Sequence, residues 1–182
     1  MDVKNIRKAL VVGAGVMGHS IAQVFAQAGI EVSLVDLNEK ILERATNLIK
    51  SNLGILAEFK RVPRNKISTI LKHIHPTTSL ADGAQGADFA IEVVSEVAEV
   101  KKKVFAQLDE LCSEDIVLAS NTSGLDIFSI AEIKKPERLI ITHWFAPPHI
   151  IPLVEVVPGP KTSKDVVTFA KDLMERLGKR PI

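Results

Sequence analysis

The chain has 182 residues, 46% of them hydrophobic and 25% charged, and its formal net charge is only +1 at neutral pH. This length suffices for one α/β domain with a sizeable core, and the balanced charge argues against a nucleic-acid-binding surface or a polybasic membrane patch. No signal peptide or membrane-spanning apolar run is recognisable, and the single cysteine, Cys112, cannot form an internal disulfide, so we expect a soluble, cytoplasmic protein with one domain over residues 1–182.

The first predicted elements, from Ala9 to Asp36, are a strand, a phosphate-binding loop, a helix and a second strand. The glycines after the strand have the G-x-G-x-x-G spacing of dinucleotide-binding loops. In such a loop they permit a tight turn, a close approach of the backbone to a pyrophosphate, and close packing of the helix. The start of the helix also favours an anion. The predicted cofactor-binding residues of this loop are Gly13, Gly15, Val16, Met17 and Gly18.

Asp36 ends the second strand, about 20 residues beyond the glycines, where dinucleotide-binding folds place the acid that binds the adenosine ribose. A carboxylate accepts hydrogen bonds from both ribose hydroxyls and repels a 2′-phosphate. Leu37 and Asn38 follow, so no arginine is placed to receive that phosphate. The sequence therefore predicts NAD rather than NADP, and the alternative is a glycine turn that binds nothing.

A long amphipathic helix is predicted from Asn38 to Phe59, with Asn38 as its cap. The basic segment Lys60 to Lys66 that follows is compatible with a solvated turn or with cations that meet the phosphates of a coenzyme A thioester. His73 and His75 lie in or beside a weak third strand. No further ligand of suitable spacing accompanies them, so we predict no metal site.

The rest of the chain continues to alternate strands and helices. Strands are predicted at 74–78, 89–94, 116–119, 139–142 and 153–157, and helices at 96–111, 127–133 and 163–177. This alternation predicts an α/β fold of the Rossmann type, with a doubly wound, mostly parallel sheet and helices on both faces.

Polar residues at the carboxyl ends of these strands are candidates for catalysis, because ligands bind there in open α/β sheets. Hydride transfer from a hydroxyl carbon also requires the hydroxyl proton to leave. Histidine suits this step because an imidazole ordinarily titrates near neutral pH, and a carboxylate on its other nitrogen fixes the tautomer. We expect His143 to act as the base, Glu155 to orient it, and Ser123 and Asn121 to contact the substrate oxygen. Each residue taken alone is also compatible with a structural role.

Five segments together closely resemble the NAD-binding domain of L-3-hydroxyacyl-CoA dehydrogenases, over essentially the whole chain. They are GAGVMGHSIAQ, IEVVSEVAEVKKKVF, ASNTSGL, HWFAPP and LVEVVP. This family reversibly oxidises 3-hydroxyacyl-CoA to 3-oxoacyl-CoA with NAD. The resemblance therefore implies NAD as cofactor, an acyl-CoA as substrate, and a homodimer in the full-length form.

The resemblance also assigns roles to individual residues. His143 matches the family's catalytic base, and Glu155 matches the glutamate that pairs with it. Ser123 matches the serine that contacts the substrate oxygen, and Asn121 matches the neighbouring asparagine. Residues on the nicotinamide side of the cofactor match Glu96 and Lys101, and the ribose-binding acid matches Asp36.

The chain departs from the family pattern in three ways. Gly124 replaces a serine, Ala146 replaces an asparagine, and the family continues into a helical second domain that we expect to be absent from this chain. The chain is then either an excised domain or a short paralogue. Two alternatives to the leading interpretation remain: a dehydrogenase of a free hydroxy acid such as L-gulonate or carnitine, and a module that binds NAD without turnover.

Overall fold

The computed structural model describes residues 2–182, in which strands and helices alternate much as the sequence predicts. The strands are β1 (Lys8–Val12), β2 (Glu31–Val35), β3 (Ile74–Thr77), β4 (Phe89–Glu92), β5 (Val117–Ser120), β6 (Leu139–Trp144), β7 (Leu153–Pro158) and β8 (Arg180–Pro181). The α-helices are α1 (Gly18–Gln27), α2 (Glu39–Glu58), α3 (Ile67–Lys72), α4 (Leu80–Ala84), α5 (Ala98–Leu111), α6 (Ile127–Ile130) and α7 (Lys164–Arg176).

All of these strands belong to one sheet, in the order β3-β2-β1-β4-β5-β6-β7-β8. Neighbouring strands are parallel except β6 and β7, which are antiparallel. The first six strands have the order of dinucleotide-binding α/β folds, in which ligands bind where the order reverses, here between β1 and β4. The predicted Rossmann-type fold is confirmed.

The sequence of β1 is apolar throughout because both faces of the sheet are covered. Ala9 and Val11 belong to the core formed with α1, α2 and α7, whereas Leu10 and Val12 belong to the core formed with α5 and α6. Successive side chains of a strand point to opposite faces, so a strand that is buried on both faces needs apolar residues at every position. Cys112 packs in the second of these cores.

Several boundaries differ from the sequence-based predictions. The sequence predicts that the first helix begins near Val16, whereas α1 begins at Gly18, with Met17 as its N-cap. The sequence predicts that the strand extends to position 94, but β4 ends at Glu92. Beyond that point the backbone N–H of Val94 donates a hydrogen bond to the Glu92 carboxylate. The short elements α4 and β8, of five and two residues, carry too little periodicity to be predicted. The predicted cap Asn38 accepts a hydrogen bond from the N–H of Lys40 at 2.8 Å.

Candidate active site

The glycine loop, residues 13–18, connects β1 to α1. Gly13 has a φ of +106°, and a Cβ added there would lie 2.6 Å from the carbonyl oxygen of Val93. A Cβ on Gly18 would lie 1.7 Å from the carbonyl oxygen of Gly13, so neither position accepts a side chain. Around Gly15, in contrast, an added Cβ would meet nothing within 4 Å. The space beside Gly15 is therefore available to a ligand.

A cavity of about 340 Å³ lies beside this loop. The N–H groups of Val16 and Met17, at the N-terminal end of α1, have no acceptor among residues 2–182. The positive end of the helix dipole adds to these donors, so the cavity favours an anion. Its lining includes most of the predicted cofactor-binding residues, namely Gly15, Val16, Met17, Glu96 and Lys101, and two of the predicted catalytic ones, Asn121 and Ser123. The other lining residues are Val93, Val94 and Ser95.

Asp36 lies at the end of β2 and supports the glycine loop. Its Oδ2 atom accepts a hydrogen bond from the N–H of Ala14 at 2.8 Å. Its Oδ1 atom has no hydrogen-bond partner among the described residues. One carboxylate oxygen therefore holds the loop, and the other is available to a ligand hydroxyl. The loop-holding contact was not predicted from the sequence.

Lys101 is bound to two carboxylates beneath the cavity. Its Nζ atom lies 2.7 Å from Glu92 Oε1 and 3.1 Å from Glu96 Oε2. The side chains of Lys101 and Glu92 are 1% and 0% exposed, and buried charges are tolerated only when they are paired and hydrogen-bonded. Glu92 meets this requirement because it also accepts hydrogen bonds from Ser120 Oγ and the N–H of Val94.

Glu92 was missed by the sequence analysis, although its signal is visible in the sequence. It is a carboxylate inside the apolar run of β4, and an ionised group on a strand buried on both faces requires a partner. Lys101, nine residues further along, provides it.

Glu96 organises the turn after β5. Its carboxylate accepts hydrogen bonds from Thr122 Oγ1 and from the N–H groups of Ser123 and Gly124. Burial raises the pKa of Glu96, but the hydrogen bonds from Thr122, Lys101 and Ser123 and the charge of Lys101 outweigh it and lower the pKa from 4.5 to about 2. Glu96 is therefore ionised and fixes the backbone of Ser123, which lines the cavity. Thr122 is a second residue that sequence reasoning missed.

His143 and Glu155 face each other in the antiparallel register of β6 and β7. His143 Nδ1 lies 2.7 Å from Glu155 Oε2. A carboxylate oxygen accepts, so Nδ1 carries the proton and donates it, which leaves Nε2 as the basic nitrogen of the neutral ring. His143 lies within β6, one residue before its end, rather than after the strand as the sequence suggests.

Ser123 connects this pair with the cofactor side of the site. It lines both the glycine-loop cavity and a second cavity of about 300 Å³ that contains His143 and Glu155. Asn121 lines the first cavity, and its Oδ1 atom accepts a hydrogen bond from the N–H of Trp144 at 2.9 Å. The amide oxygen of Asn121 is thus used to hold β6 against β5, next to His143.

Two other groups of residues that the sequence singled out lie elsewhere. The segment Lys60 to Lys66 is mostly exposed and lines neither of the two cavities. His73 Nδ1 and His75 Nε2 lie 2.5 and 2.6 Å from the two carboxylate oxygens of Glu31. Residues 2–182 contain no group of three or more His, Cys, Asp or Glu side chains that could hold a metal ion. Nor does any helix in this part of the chain have the length and apolar character to cross a membrane.

Comparisons with known proteins agree with this geometry. The family model for the 3-hydroxyacyl-CoA dehydrogenase NAD binding domain matches residues 8–182. A 3-hydroxyadipyl-CoA dehydrogenase of Escherichia coli strain K12 is 39% identical over 184 residues, which cover 98% of this chain and 38% of that protein. The crystal structure of a (S)-3-hydroxybutyryl-CoA dehydrogenase from Ralstonia eutropha superposes with a TM-score of 0.93 at 32% identity, covering 98% of this chain and 63% of that one.

The name of a third relative contains a pyridine carboxylate instead of an acyl-CoA. A 5-formyl-3-hydroxy-2-methylpyridine 4-carboxylate 5-dehydrogenase of Mesorhizobium japonicum is 34% identical over 179 residues, covering 97% of this chain and 57% of that protein. The chain thus spans less than two thirds of the length of each of these relatives.

Proposed function

This chain belongs to the family of 3-hydroxyacyl-CoA dehydrogenase NAD-binding domains, and we propose that it serves a dehydrogenase that interconverts 3-hydroxyacyl-CoA and 3-oxoacyl-CoA. The observation that carries the proposal is the His143–Glu155 pair, joined at 2.7 Å in a cavity that shares Ser123 with the glycine-loop cavity. Ser123 lies between the base, His143, and the cofactor cavity. This arrangement suits a reaction in which one carbinol group loses a proton to the base and a hydride to the cofactor.

NAD fits the residues of the glycine-loop cavity. The free N–H groups of Val16 and Met17 suit its pyrophosphate, and the free Oδ1 atom of Asp36 suits a ribose hydroxyl. Glu96 and Lys101 would line the nicotinamide side, with Lys101 neutralised by Glu92 and Glu96. When bound, NAD supplies the hydride acceptor.

The protein residues handle the proton and the substrate oxygen. His143 Nε2 takes the proton of the substrate hydroxyl, while the ionised Glu155 holds the ring through Nδ1 and stabilises the imidazolium that forms. The hydroxyl of Ser123 donates a hydrogen bond to the substrate oxygen and fixes its distance from His143. Asn121 acts by holding the backbone of Trp144, and therefore the end of β6, in place.

A second candidate substrate class is a free hydroxylated acid. The Mesorhizobium japonicum relative supports it, since the name of that protein contains a pyridine carboxylate and no CoA. A third candidate is a module that binds NAD without turnover, which Ala146 supports because it places a methyl group where the family pattern has an asparagine amide. In each case residues 1–182 act as one NAD-binding domain. The homodimer implied by the resemblance stays a prediction.

Two measurements on the chain as it stands test these proposals. Calorimetric titration with NAD should give saturable binding, and the absence of binding would contradict all three candidates. Oxidation of NADH with acetoacetyl-CoA, compared with NAD reduction by free hydroxy acids, then separates them. Turnover of the thioester alone supports the leading proposal, turnover of free acids alone supports the second, and binding without either supports the module.

A further inference from the structure

A chain of hydrogen bonds connects the glycine loop with the β6–β7 loop, residues 145–152, which leads from His143 to Glu155. His149 Nδ1 lies 3.1 Å from Ser20 Oγ, and Ser20 Oγ lies 3.1 Å from His19 Nε2. His19 Nδ1 in turn lies 2.8 Å from the carbonyl oxygen of Gly15. Among residues 2–182, the contact between Ser20 and His149 is the one side-chain hydrogen bond that joins this loop to α1.

The acceptor atoms determine which group donates in each of these hydrogen bonds. A carbonyl oxygen can only accept, so His19 Nδ1 carries a proton and donates it to Gly15. In a neutral imidazole Nε2 is then an acceptor, and it accepts from the Ser20 hydroxyl. Ser20 is 1% exposed, and its hydroxyl hydrogen is used for His19, so its oxygen accepts from Nδ1–H of His149. Burial lowers the pKa of His149, and the charge of the nearby Lys179 lowers it further, which favours the neutral ring.

The other side of the β6–β7 loop is held by Lys179. Its Nζ atom donates to the carbonyl oxygens of Pro148 and Ile151 and lies 5.3 Å from the centre of the Trp144 ring. The loop is therefore fixed on one side by Lys179, and His149 is presented to Ser20 on the other.

The orientation of the Gly15 carbonyl determines the direction of the Val16 N–H group, which belongs to the same peptide unit. The C=O of Gly15 and the N–H of Val16 belong to the same planar trans peptide unit, so they point in opposite directions. The oxygen of Gly15 accepts from His19 Nδ1 at 2.8 Å and, at 3.3 Å, from the backbone N–H of His19. Together these bonds hold the oxygen toward α1, which aims the N–H of Val16 away from α1. That N–H group has no acceptor in residues 2–182, and Val16 lines the glycine-loop cavity.

We propose that His149 is a positioning residue that, through Ser20 and His19, holds the Gly15–Val16 peptide in the orientation that presents the Val16 N–H to the NAD pyrophosphate. The inference rests on the proposed function, because it takes NAD as the ligand of the glycine loop. His149 makes no contact with the cavity itself. NAD affinity thus depends on a side chain of the loop that connects His143 to Glu155.

NAD affinity, measured by calorimetry on the whole chain, tests this inference with the variants Ser20→Ala, His149→Phe and their combination. Each single variant should weaken NAD binding by a factor on the order of fivefold, the effect of one ordinary hydrogen bond. The double variant should bind NAD no more weakly than either single variant, because both substitutions interrupt the same series of hydrogen bonds. His149→Asn, which keeps a donor near the position of Nδ1, should restore most of the affinity.

His75→Phe is the matched control, since His75 is hydrogen-bonded to Glu31 on β2 and should leave NAD affinity unchanged. Losses that multiply in the double variant, or folded single variants that bind NAD as tightly as the wild type, would overturn the role of His149. A wild-type chain that binds no NAD would instead overturn the proposed function, and this inference with it.

Discussion

His143 and Glu155 are paired residues in the register of β6 and β7, and a hydrogen bond of 2.7 Å joins their side chains across the two strands. Because the antiparallel register fixes both backbones, the carboxylate holds the imidazole in one tautomer without the help of a mobile loop. The same pair lies beside Ser123, which also lines the cavity of the glycine loop.

Replacing His143 with Gln should separate binding from catalysis. The amide keeps the approximate size of the ring but cannot accept the substrate proton, so turnover should fall about 10²-fold or more in whichever form of the protein is active. NAD affinity should stay close to that of the wild type, because His143 does not line the glycine-loop cavity. Steady-state kinetics with acetoacetyl-CoA and NADH would measure the first effect and calorimetry the second. Unchanged turnover would remove His143 from the mechanism.

Lys101→Met should strongly destabilise the fold. It leaves the fully buried carboxylate of Glu92 without its cation, a change that typically costs about 3–5 kcal/mol. Urea unfolding followed by circular dichroism measures the loss. Lys102→Met is the matched control, since Lys102 also lies 2.7 Å from a carboxylate, that of Glu132, but in solvent, where an ion pair contributes little. Equal effects of the two substitutions would contradict the role given to burial.

The stability of the chain should decrease in acid partly because of Glu96. Its pKa is lowered in the folded protein from 4.5 to about 2, so its ionised form stabilises the fold above about pH 4.5. This contribution is lost as the pH falls from about 4.5 through about 2, where the folded protein binds the proton.

Comparison with Glu96→Gln isolates this effect. The variant should be less stable than the wild type at neutral pH, and the difference should shrink across that window when urea midpoints are measured as a function of pH. Glu110→Gln, an exposed change on α5, serves as control and should leave the pH profile unchanged. A constant difference between wild type and Glu96→Gln at every pH would show that Glu96 does not titrate as described.

Asp36→Asn should weaken the discrimination between NAD and NADP. The amide oxygen can still accept the hydrogen bond from Ala14, so the glycine loop keeps its support. The lost negative charge no longer repels a 2′-phosphate, and the ratio of NADP to NAD affinity should rise about tenfold. Titration of both dinucleotides into wild type and variant measures the ratio. An unaltered ratio would mean that Asp36 does not face the ribose.

The fold and much of the candidate site could be predicted because their signals are local. The glycine spacing between β1 and α1, and Asp36 at the end of β2, follow from the geometry of one βαβ unit. The rule that ligands bind at the carboxyl ends of strands was enough to group Ser123 with His143.

Contacts between distant parts of the chain could not be predicted in the same way. Ser20 and His149 are 129 residues apart, and nothing in the local pattern of either residue indicates the other. Thr122 appears as an ordinary turn residue until the fold brings Glu96 beside it. Glu92 could have been found as a charge in a buried strand, but its partners depend on how α5 packs on β4.

NAD binding by Gly15→Ala tests the central claim, that a dinucleotide binds along the glycine loop, most directly. An added Cβ at Gly15 meets no protein atom within 4 Å, so the variant should be no less stable to urea than the wild type. The control Gly54→Ala, whose Cβ also enters open space, on α2, should be at least as stable, because alanine favours the helix more than glycine does. The methyl group at Gly15 would occupy the space of the pyrophosphate, and calorimetry should show NAD binding weakened by a factor of about ten or more. Binding by Gly15→Ala as tight as that of the wild type and of Gly54→Ala would contradict the account.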